Sequence, residues 1–235
     1  MLMNRPNVMV AVFLGFCLWG MPDPSLAQTP SGKVSESVVW MQSPPRPELT
    51  PDDLERLRAG EILIRDTRID EAGGAGVAMA IYHLEPSRLW AIIGDCEANR
   101  RFVRGLQACE VSGETETRAI TRQRLKPYAM LPALEYRFET KREPHDWIRI
   151  RLLDGDLRAL SGSWRFDRLS DAAVLVTHEI RVQPPYPVPR WLARRTVKRD
   201  LAALMACLRW EARAWPEPRQ RGIDRQSCPE SGPST

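Results

Sequence analysis

The sequence has few of the residues on which metal and redox sites depend. Its 235 residues include three His and five Cys, with no C-x-x-C pair and no two His four positions apart. Zinc-ribbon and thioredoxin motifs require the first pattern, and helical zinc-protease motifs require the second. The sequence therefore predicts no metal site and no cofactor.

Charge of one sign is also scarce, because 34 Lys+Arg face 30 Asp+Glu and the net charge is only +4. This excess is too small to indicate a nucleic-acid-binding protein, so none is expected as a partner. Charged residues make up 27% of the chain, which is typical of a folded soluble protein. The length suits one domain with extensions at its ends.

The long apolar run of the sequence lies near its N-terminus. Residues 8–21 carry no charge, Arg5 precedes them, and the small residues Ser25 and Ala27 stand where a signal peptidase requires them. This pattern is typical of a secretory signal peptide, and the run is shorter than the about 20 residues of a membrane span. We expect cleavage after Ala27 and a periplasmic or secreted protein, with an uncleaved anchor as the alternative.

Export would bring four cysteines into an oxidising compartment, where disulfides form. Cys96 and Cys109 flank a short predicted helix and are expected to form one bridge. Cys207 and Cys228 are candidates for a second bridge, and the sequence leaves that pairing open.

The remaining chain predicts one folded domain over residues 49–215, between a flexible lead-in at 28–48 and a disordered tail at 216–235. Capping and periodicity predict a helix at 49–60, strands at 61–70 and 77–84 around a turn at 71–76, and short helices at 86–94 and 97–103. Alternating apolar and polar residues then predict six antiparallel strands, at 106–112, 117–125, 133–141, 147–153, 160–169 and 173–182. A long helix is predicted from about 190 to 215.

The long helix has one apolar sector and one basic side. At 100° per residue, the sector contains Val197, Leu201, Leu204, Met205, Leu208, Ala212 and Trp215. Arg194 falls in the same sector near the helix start, where it is a candidate to meet the polar head of a ligand or to form a salt bridge. The basic side is either a solvated surface or a peripheral contact with anionic lipid head groups or an acidic partner.

Three stretches resemble the START-like SRPBCC superfamily, which includes coenzyme Q-binding START and polyketide cyclase/dehydrase proteins. They are IYHLEPSRLWAIIGDCEANRRFVRG at 81–105, GDLRALSGSW at 155–164 and PVPRWLARRTVKRDLAAL at 187–204. Arg104 stands where the family usually has a proline. The order of the predicted elements is similar to that of the family over about residues 49–215.

The resemblance implies an α+β helix-grip fold, in which a curved antiparallel sheet wraps around the long C-terminal helix. It also implies a cavity between sheet and helix for a hydrophobic small molecule such as a lipid or a quinone. The side chains expected to face that space are Tyr136, Phe138, Trp164, Arg194, Leu201, Leu204, Met205 and Leu208. The alternative is that these side chains fill the core completely.

No catalytic set is evident in the sequence. The three His are scattered, residues 161–163 lack the G-x-S-x-G frame, and the glycines at 73–76 precede a strand instead of a helix. We therefore expect a non-catalytic binding protein. The alternatives are a cyclase or dehydratase using the same cavity, with Tyr136, Arg149 and His178 as candidates, and a filled-core interaction domain at a membrane.

Overall fold

The computed structural model describes residues 40, 42–70, 73–126 and 131–214. The predicted signal peptide, most of the lead-in and the predicted tail lie outside these residues. The helices are α1 (Pro51–Arg58), α2 (Pro86–Gly94), α3 (Cys96–Phe102) and α4 (Arg190–Ala214). The strands are β1 (Leu63–Asp70), β2 (Gly73–Tyr82), β3 (Leu106–Ser112), β4 (Arg118–Leu125), β5 (Leu134–Glu143), β6 (Trp147–Gly155), β7 (Ala159–Ser170) and β8 (Ala173–Gln183).

The eight strands form one antiparallel sheet in the order β1-β2-β8-β7-β6-β5-β4-β3. Most neighbouring strands in this order are also consecutive in the sequence. The exception is β8, which pairs with β2 as well as with β7. The α+β architecture with a terminal helix on an antiparallel sheet, as the resemblance implied, is confirmed.

Strand register defines the two faces of the sheet. Ala78, His178, Trp164 and Ile148 lie opposite one another on neighbouring strands and therefore share what we call the inner face. Their sequence neighbours, such as Ser163 on β7, point to the outer face. The inner face is covered by α4, which packs mainly on β1 and β2, and by residues of α2 and α3.

The outer face is covered by α1 and by the segment that precedes it. Leu57 of α1 packs in a cluster with Leu63, Met79, Ile81 and Leu175. Arg149 donates from Nε to the carbonyl of Gln42 at 2.7 Å, and Arg165 donates from Nη1 to the carbonyl of Pro44 at 2.8 Å. Side chains of the sheet thus hold the backbone of residues 42–44.

The turn predicted at residues 71–76 is wrong for Gly73–Gly76, which begin strand β2. Gly74 and Gly76 allow close packing against α4, whereas Gly73, with φ of 111°, lies against the backbone of Val182 on β8. A Cβ at Gly74 would lie 2.9 Å from Val197 Cγ2, and a Cβ at Gly76 would lie 2.8 Å from Leu201 Cδ1. Since real Cβ contacts are essentially never this short, a larger residue at either position would require the Val197 or Leu201 side chain to move.

Each of the two edge strands of the sheet, β1 and β3, has a distinctive local feature. At β1, the pairing with β2 shifts register between Arg65 and Arg68, and Asp66 adopts the left-handed conformation with φ of 50°. At the other end, the predicted disulfide between Cys96 of α3 and Cys109 of β3 is present, with Cα atoms 5.5 Å apart. Cys207 is buried in α4, but Cys228 lies outside the described residues, so that pairing stays a prediction.

Candidate ligand-binding site

The predicted cavity-lining residues lie in two apolar clusters of the inner face and at one exposed position. We call the first the helix cluster, because α4 contributes Leu201, Met205 and Leu208 to it, with Trp164 of β7. Leu204 is partly buried and packs against this cluster. The structure therefore brings five of the predicted residues together where α4 packs on the inner face.

Tyr136 and Phe138 belong to the second group, which we call the strand cluster. They pack with Leu134 and Leu157, and Tyr186 from the proline-rich connector lies against them. Ile150 is partly buried and packs against both the helix cluster and the strand cluster. The two clusters are therefore neighbours on the inner face, although α4 itself packs mainly on β1 and β2 at the far side.

Tyr136 provides a polar group within the strand cluster. Its hydroxyl donates a hydrogen bond to Oε1 of Gln123 at 2.9 Å. Burial raises the pKa of Tyr136 well above its ordinary value, because the phenolate would be poorly solvated. The side chain therefore stays protonated at neutral pH, as an anchored hydrogen-bonding group and not as a base.

His178 is the buried histidine of the inner face. Its ring stacks on Trp164 with centroids 3.8 Å apart, and Nδ1 lies 3.0 Å from the carbonyl oxygen of Ser163. Because a carbonyl only accepts, Nδ1 carries the proton and Nε2 is left as an acceptor. Burial lowers the pKa of His178 to about 4, against the opposing effect of the Ser163 bond, so the ring is neutral at pH 7.

Arg149, the third candidate of the enzyme alternative, lies on the other side of the sheet. It pairs with Ser163, whose side chain points to the outer face, and it donates to the carbonyl of Gln42 there. Strand alternation separates Arg149 from His178 and Tyr136 by the thickness of the sheet. The three residues therefore cannot share one cavity.

Arg194 lies outside both clusters, in an open cleft of about 790 Å³ at the start of α4. The cleft is lined by five basic residues between positions 190 and 199, together with Ile69 of β1 and Trp191. Arg194 is exposed, although its angle on the helix falls within the apolar sector. The sector meets the glycines of β2 only from Val197 onward, one turn after Arg194.

Two exposed apolar residues in the first turn of α4 were not among the predicted site residues. Trp191 is 69% exposed and Leu192 is 38% exposed. Leu192 stands nine positions before Leu201, which at 100° per residue places it directly opposite the apolar sector. The position of Leu192 on the basic side of the helix is therefore the sequence feature that could have indicated an exposed apolar surface here.

A buried ion pair holds the second half of α4 to α3. Nε of Arg101 donates to Oε1 of Glu211 at 2.6 Å, and the Glu211 side chain is 2% exposed. Tyr82 donates from its hydroxyl to the carbonyl of Met205 at 2.9 Å. Polar contacts thus fix the same part of α4 that the helix cluster buries.

A family model described as polyketide cyclase / dehydrase and lipid transport matches residues 83–209, which is more than half of the chain. No curated protein matches the sequence. The similar solved structures include two with TM-scores above 0.5, and at such low identities they show the fold alone, a START-like helix grip. The STAR-related lipid transfer protein of Xanthomonas axonopodis gives a TM-score of 0.54 at 16% identity, over 65% of this chain and 92% of that chain. A START superfamily protein from Mycobacterium smegmatis gives 0.51 at 13% identity, over 59% of this chain and 97% of that chain.

The Zhui aromatase/cyclase from Streptomyces sp. R1128 is also similar, with a TM-score of 0.49 at 14% identity, over 65% of this chain and 95% of that chain.

None of the helices in the described part of the chain combines the length and the apolar character needed to cross a membrane.

Proposed function

Because the chain belongs to the polyketide cyclase/dehydrase and lipid transport family, we propose that it binds a hydrophobic small molecule, such as a lipid or a quinone, without transforming it chemically. The binding space is the region between the helix cluster, the strand cluster and α4. The observation that carries the proposal is the coverage of the inner face. α4 packs mainly on β1 and β2, whereas the apolar side chains of the inner face continue onto β5 and β6.

The residues around this space fit an apolar ligand with few polar groups. Leu204 and Phe138 offer apolar contacts, while His178 and Tyr136 offer hydrogen bonds from fixed positions. Ligand pockets commonly combine an apolar lining with a small number of such polar groups. Both polar groups are neutral at pH 7, which favours a neutral group on the buried part of the ligand.

Leu204 provides the test, because it is partly buried at the rim of the helix cluster. We expect organic extraction of the purified protein to release a hydrophobic molecule that mass spectrometry detects. Leu204→Trp would fill the space, reducing binding of a fluorescent fatty acid with little change in stability. Leu169→Trp is the matched control, since Leu169 is 51% exposed on β7 and a Trp there should change neither property.

A filled core predicts the opposite result for the same variant. Leu204→Trp would then overpack the core and cost typically about 1–3 kcal/mol of unfolding free energy. Strong destabilisation, together with no extracted molecule and no probe binding by the unmodified protein, would reject the binding proposal and favour an interaction domain with a filled core.

The enzyme alternative is favoured by one observation, the fixed tautomer of His178. A neutral imidazole with Nδ1 held by a carbonyl presents Nε2 as an acceptor for a proton. If the protein acted as a cyclase or dehydratase, His178→Gln would leave an unreacted molecule in the cavity, and the extracted ligand would differ in mass from that of the unmodified protein. Identical ligands from both proteins support binding without chemistry.

We further propose that the protein is exported and that its mature form begins near Gln28. The N-terminal pattern supports this, and so does the Cys96–Cys109 disulfide, which suits an oxidising compartment. Cell fractionation and N-terminal sequencing test the proposal. Recovery of the protein in the cytoplasm with residues 1–27 intact would reject it.

A further inference from the structure

The first turn of α4 exposes a large aromatic side chain to solvent. Trp191 is 69% exposed and is the most exposed large apolar side chain among the described residues. It lines the open cleft at the start of α4 together with basic residues of the same helix. Leu192 is also exposed, but at 100° per residue it points away from Arg194 and takes no part in this surface. An exposed aromatic side chain among basic ones is typical of an interaction surface.

The same turns of α4 carry a concentrated positive charge. Residues 190–199 contain five basic residues and no acidic one. Among the described residues, Arg190, Arg194, Arg195 and Lys198 have no carboxylate partner, whereas Arg199 pairs with Asp200. Arginines elsewhere in the fold commonly have such a partner, as in the pairs of Arg56 with Glu61 and Arg137 with Asp154.

Because these four cations have no carboxylate partner within the described residues, they raise the local positive potential, which an anionic partner would offset. The open cleft of about 790 Å³ lies within this cluster, with Trp191 and Ile69 forming its apolar part. A volume of this size accommodates a polar head group with the start of its apolar chain. Basic side chains around an amphipathic aromatic residue are the combination found at membrane interfaces.

We propose that Arg190, Trp191, Arg194, Arg195 and Lys198 form a surface that docks on an anionic lipid bilayer. The indole of Trp191 enters the interface, and the four cations contact acidic head groups, one of which occupies the cleft. The surface lies outside the helix cluster and the strand cluster. The inference therefore goes beyond the proposed ligand binding and does not depend on it.

Vesicle sedimentation tests the docking surface, with the protein in the form recovered from cells after its N-terminus has been determined. The vesicles contain phosphatidylcholine alone or phosphatidylcholine with phosphatidylglycerol. We expect binding to the anionic vesicles only, and loss of that binding near about 1 M NaCl, where the screening length is about 3 Å. If the apolar residues 8–21 remain on the protein, they could bind vesicles themselves. All variants would share them, so they cannot explain differences among the variants.

Two variants with matched controls locate the effect. Arg194→Gln with Arg195→Gln should weaken binding to anionic vesicles about tenfold or more. Arg104→Gln with Arg158→Gln removes the same charge from exposed positions elsewhere and should change binding little. Trp191→Ala should weaken binding, whereas Leu169→Ala should not.

Several results would overturn the docking proposal. These are equal binding to both kinds of vesicle, equal losses in the matched charge variants, and full suppression of binding by soluble glycerol phosphate, which would indicate a site for a free anion. Leu204→Trp distinguishes this proposal from the previous one. It should reduce binding of the fluorescent fatty acid while leaving vesicle binding unchanged, so either proposal can fail alone.

Discussion

Residues 190–199 and residues 200–212 lie on one continuous helix, α4, but differ in burial and in the partners of their charges. The first half exposes Trp191 and four basic side chains without carboxylate partners among the described residues. The second half buries Met205 and Leu208 completely, and its Glu211 is paired with Arg101. The second half of α4 therefore stabilises the fold, and the first half remains available for contact.

The charged residues of the two halves should respond most differently to substitution. Arg101→Met would leave the buried carboxylate of Glu211 without its partner and cost about 3–5 kcal/mol of unfolding free energy. Urea denaturation measures the loss. Arg100→Met is the control on the same helix, since its pair with Glu97 is partly exposed and contributes at most about 1 kcal/mol.

The double variant Arg101→Met with Glu211→Leu sharpens this result. If the loss arises from the unpaired carboxylate, the double variant should recover much of the stability, because a buried ion pair is often replaceable by apolar residues. A double variant as unstable as Arg101→Met alone would contradict this explanation.

The apolar residues of the two halves give the next comparison. Met205 has no exposed surface, so Met205→Ala should cost about 2–5 kcal/mol through lost burial and a new cavity. Leu192→Ala, in the exposed half, should change stability by less than about 0.5 kcal/mol. Similar losses in thermal denaturation of both variants would show that the first half also packs on the domain.

The sheet beneath the buried half should make stability depend on pH through His178. Because its folded pKa of about 4 lies below the unfolded value of about 6.5, the unfolded state binds more protons between these two pH values. Stability should therefore fall as pH decreases through this range, by about 3 kcal/mol in total.

Denaturation midpoints of the unmodified protein and of His178→Phe test this dependence between about pH 6.5 and about pH 4. The variant should show a flatter profile in that range. Carboxylates such as Asp154, whose pKa is lowered by its hydrogen bond to Arg137, lose their contribution to stability only at lower pH. They therefore do not account for a change within the measured range. Parallel profiles for the two proteins would mean that His178 is not the responsible group.

The smallest effect on stability is expected from the basic residues of the exposed half. Arg194→Gln with Arg195→Gln removes two neighbouring like charges and should leave the unfolding free energy within about 0.5 kcal/mol of the original value. The measurement is urea denaturation at low ionic strength. A clear destabilisation would show that these arginines stabilise the fold, which would weaken the case for a docking surface.

Much of the fold could be predicted because its signals are local and repeated. Alternation in residues such as Leu134, Tyr136 and Phe138 indicated half-buried strands. Thr50 as a capping residue marked the start of α1, where the structure shows a capping box with Asp53. The wrong turn at Gly73–Gly76 shows the limit of such signals. A glycine that permits a turn and a glycine that permits close packing are identical in the sequence, and the helix that decides between them lies more than 100 residues later.

The candidate site was predictable only in part, because it depends on how α4 is positioned along the sheet. The helical angle of Arg194 matches that of the buried residues, but the angle does not reveal that β2 is engaged only from Val197 onward. For Arg149 the limit was different. Strand alternation, combined with the buried Ile148 beside it, already contained the information that it lies on the outer face.

The irregular pairing of β1 also has a consequence for association between molecules. Among the strands of the described residues, β1 and β3 each have one side without a neighbour, and such edges recruit strands from other chains. The bulge between Arg65 and Arg68, with the left-handed Asp66, interrupts the regular ladder of donors and acceptors that an incoming strand would need. Three charged side chains within four residues add an electrostatic penalty to any such addition, so this edge of the sheet is protected against aggregation at the cost of regular local geometry.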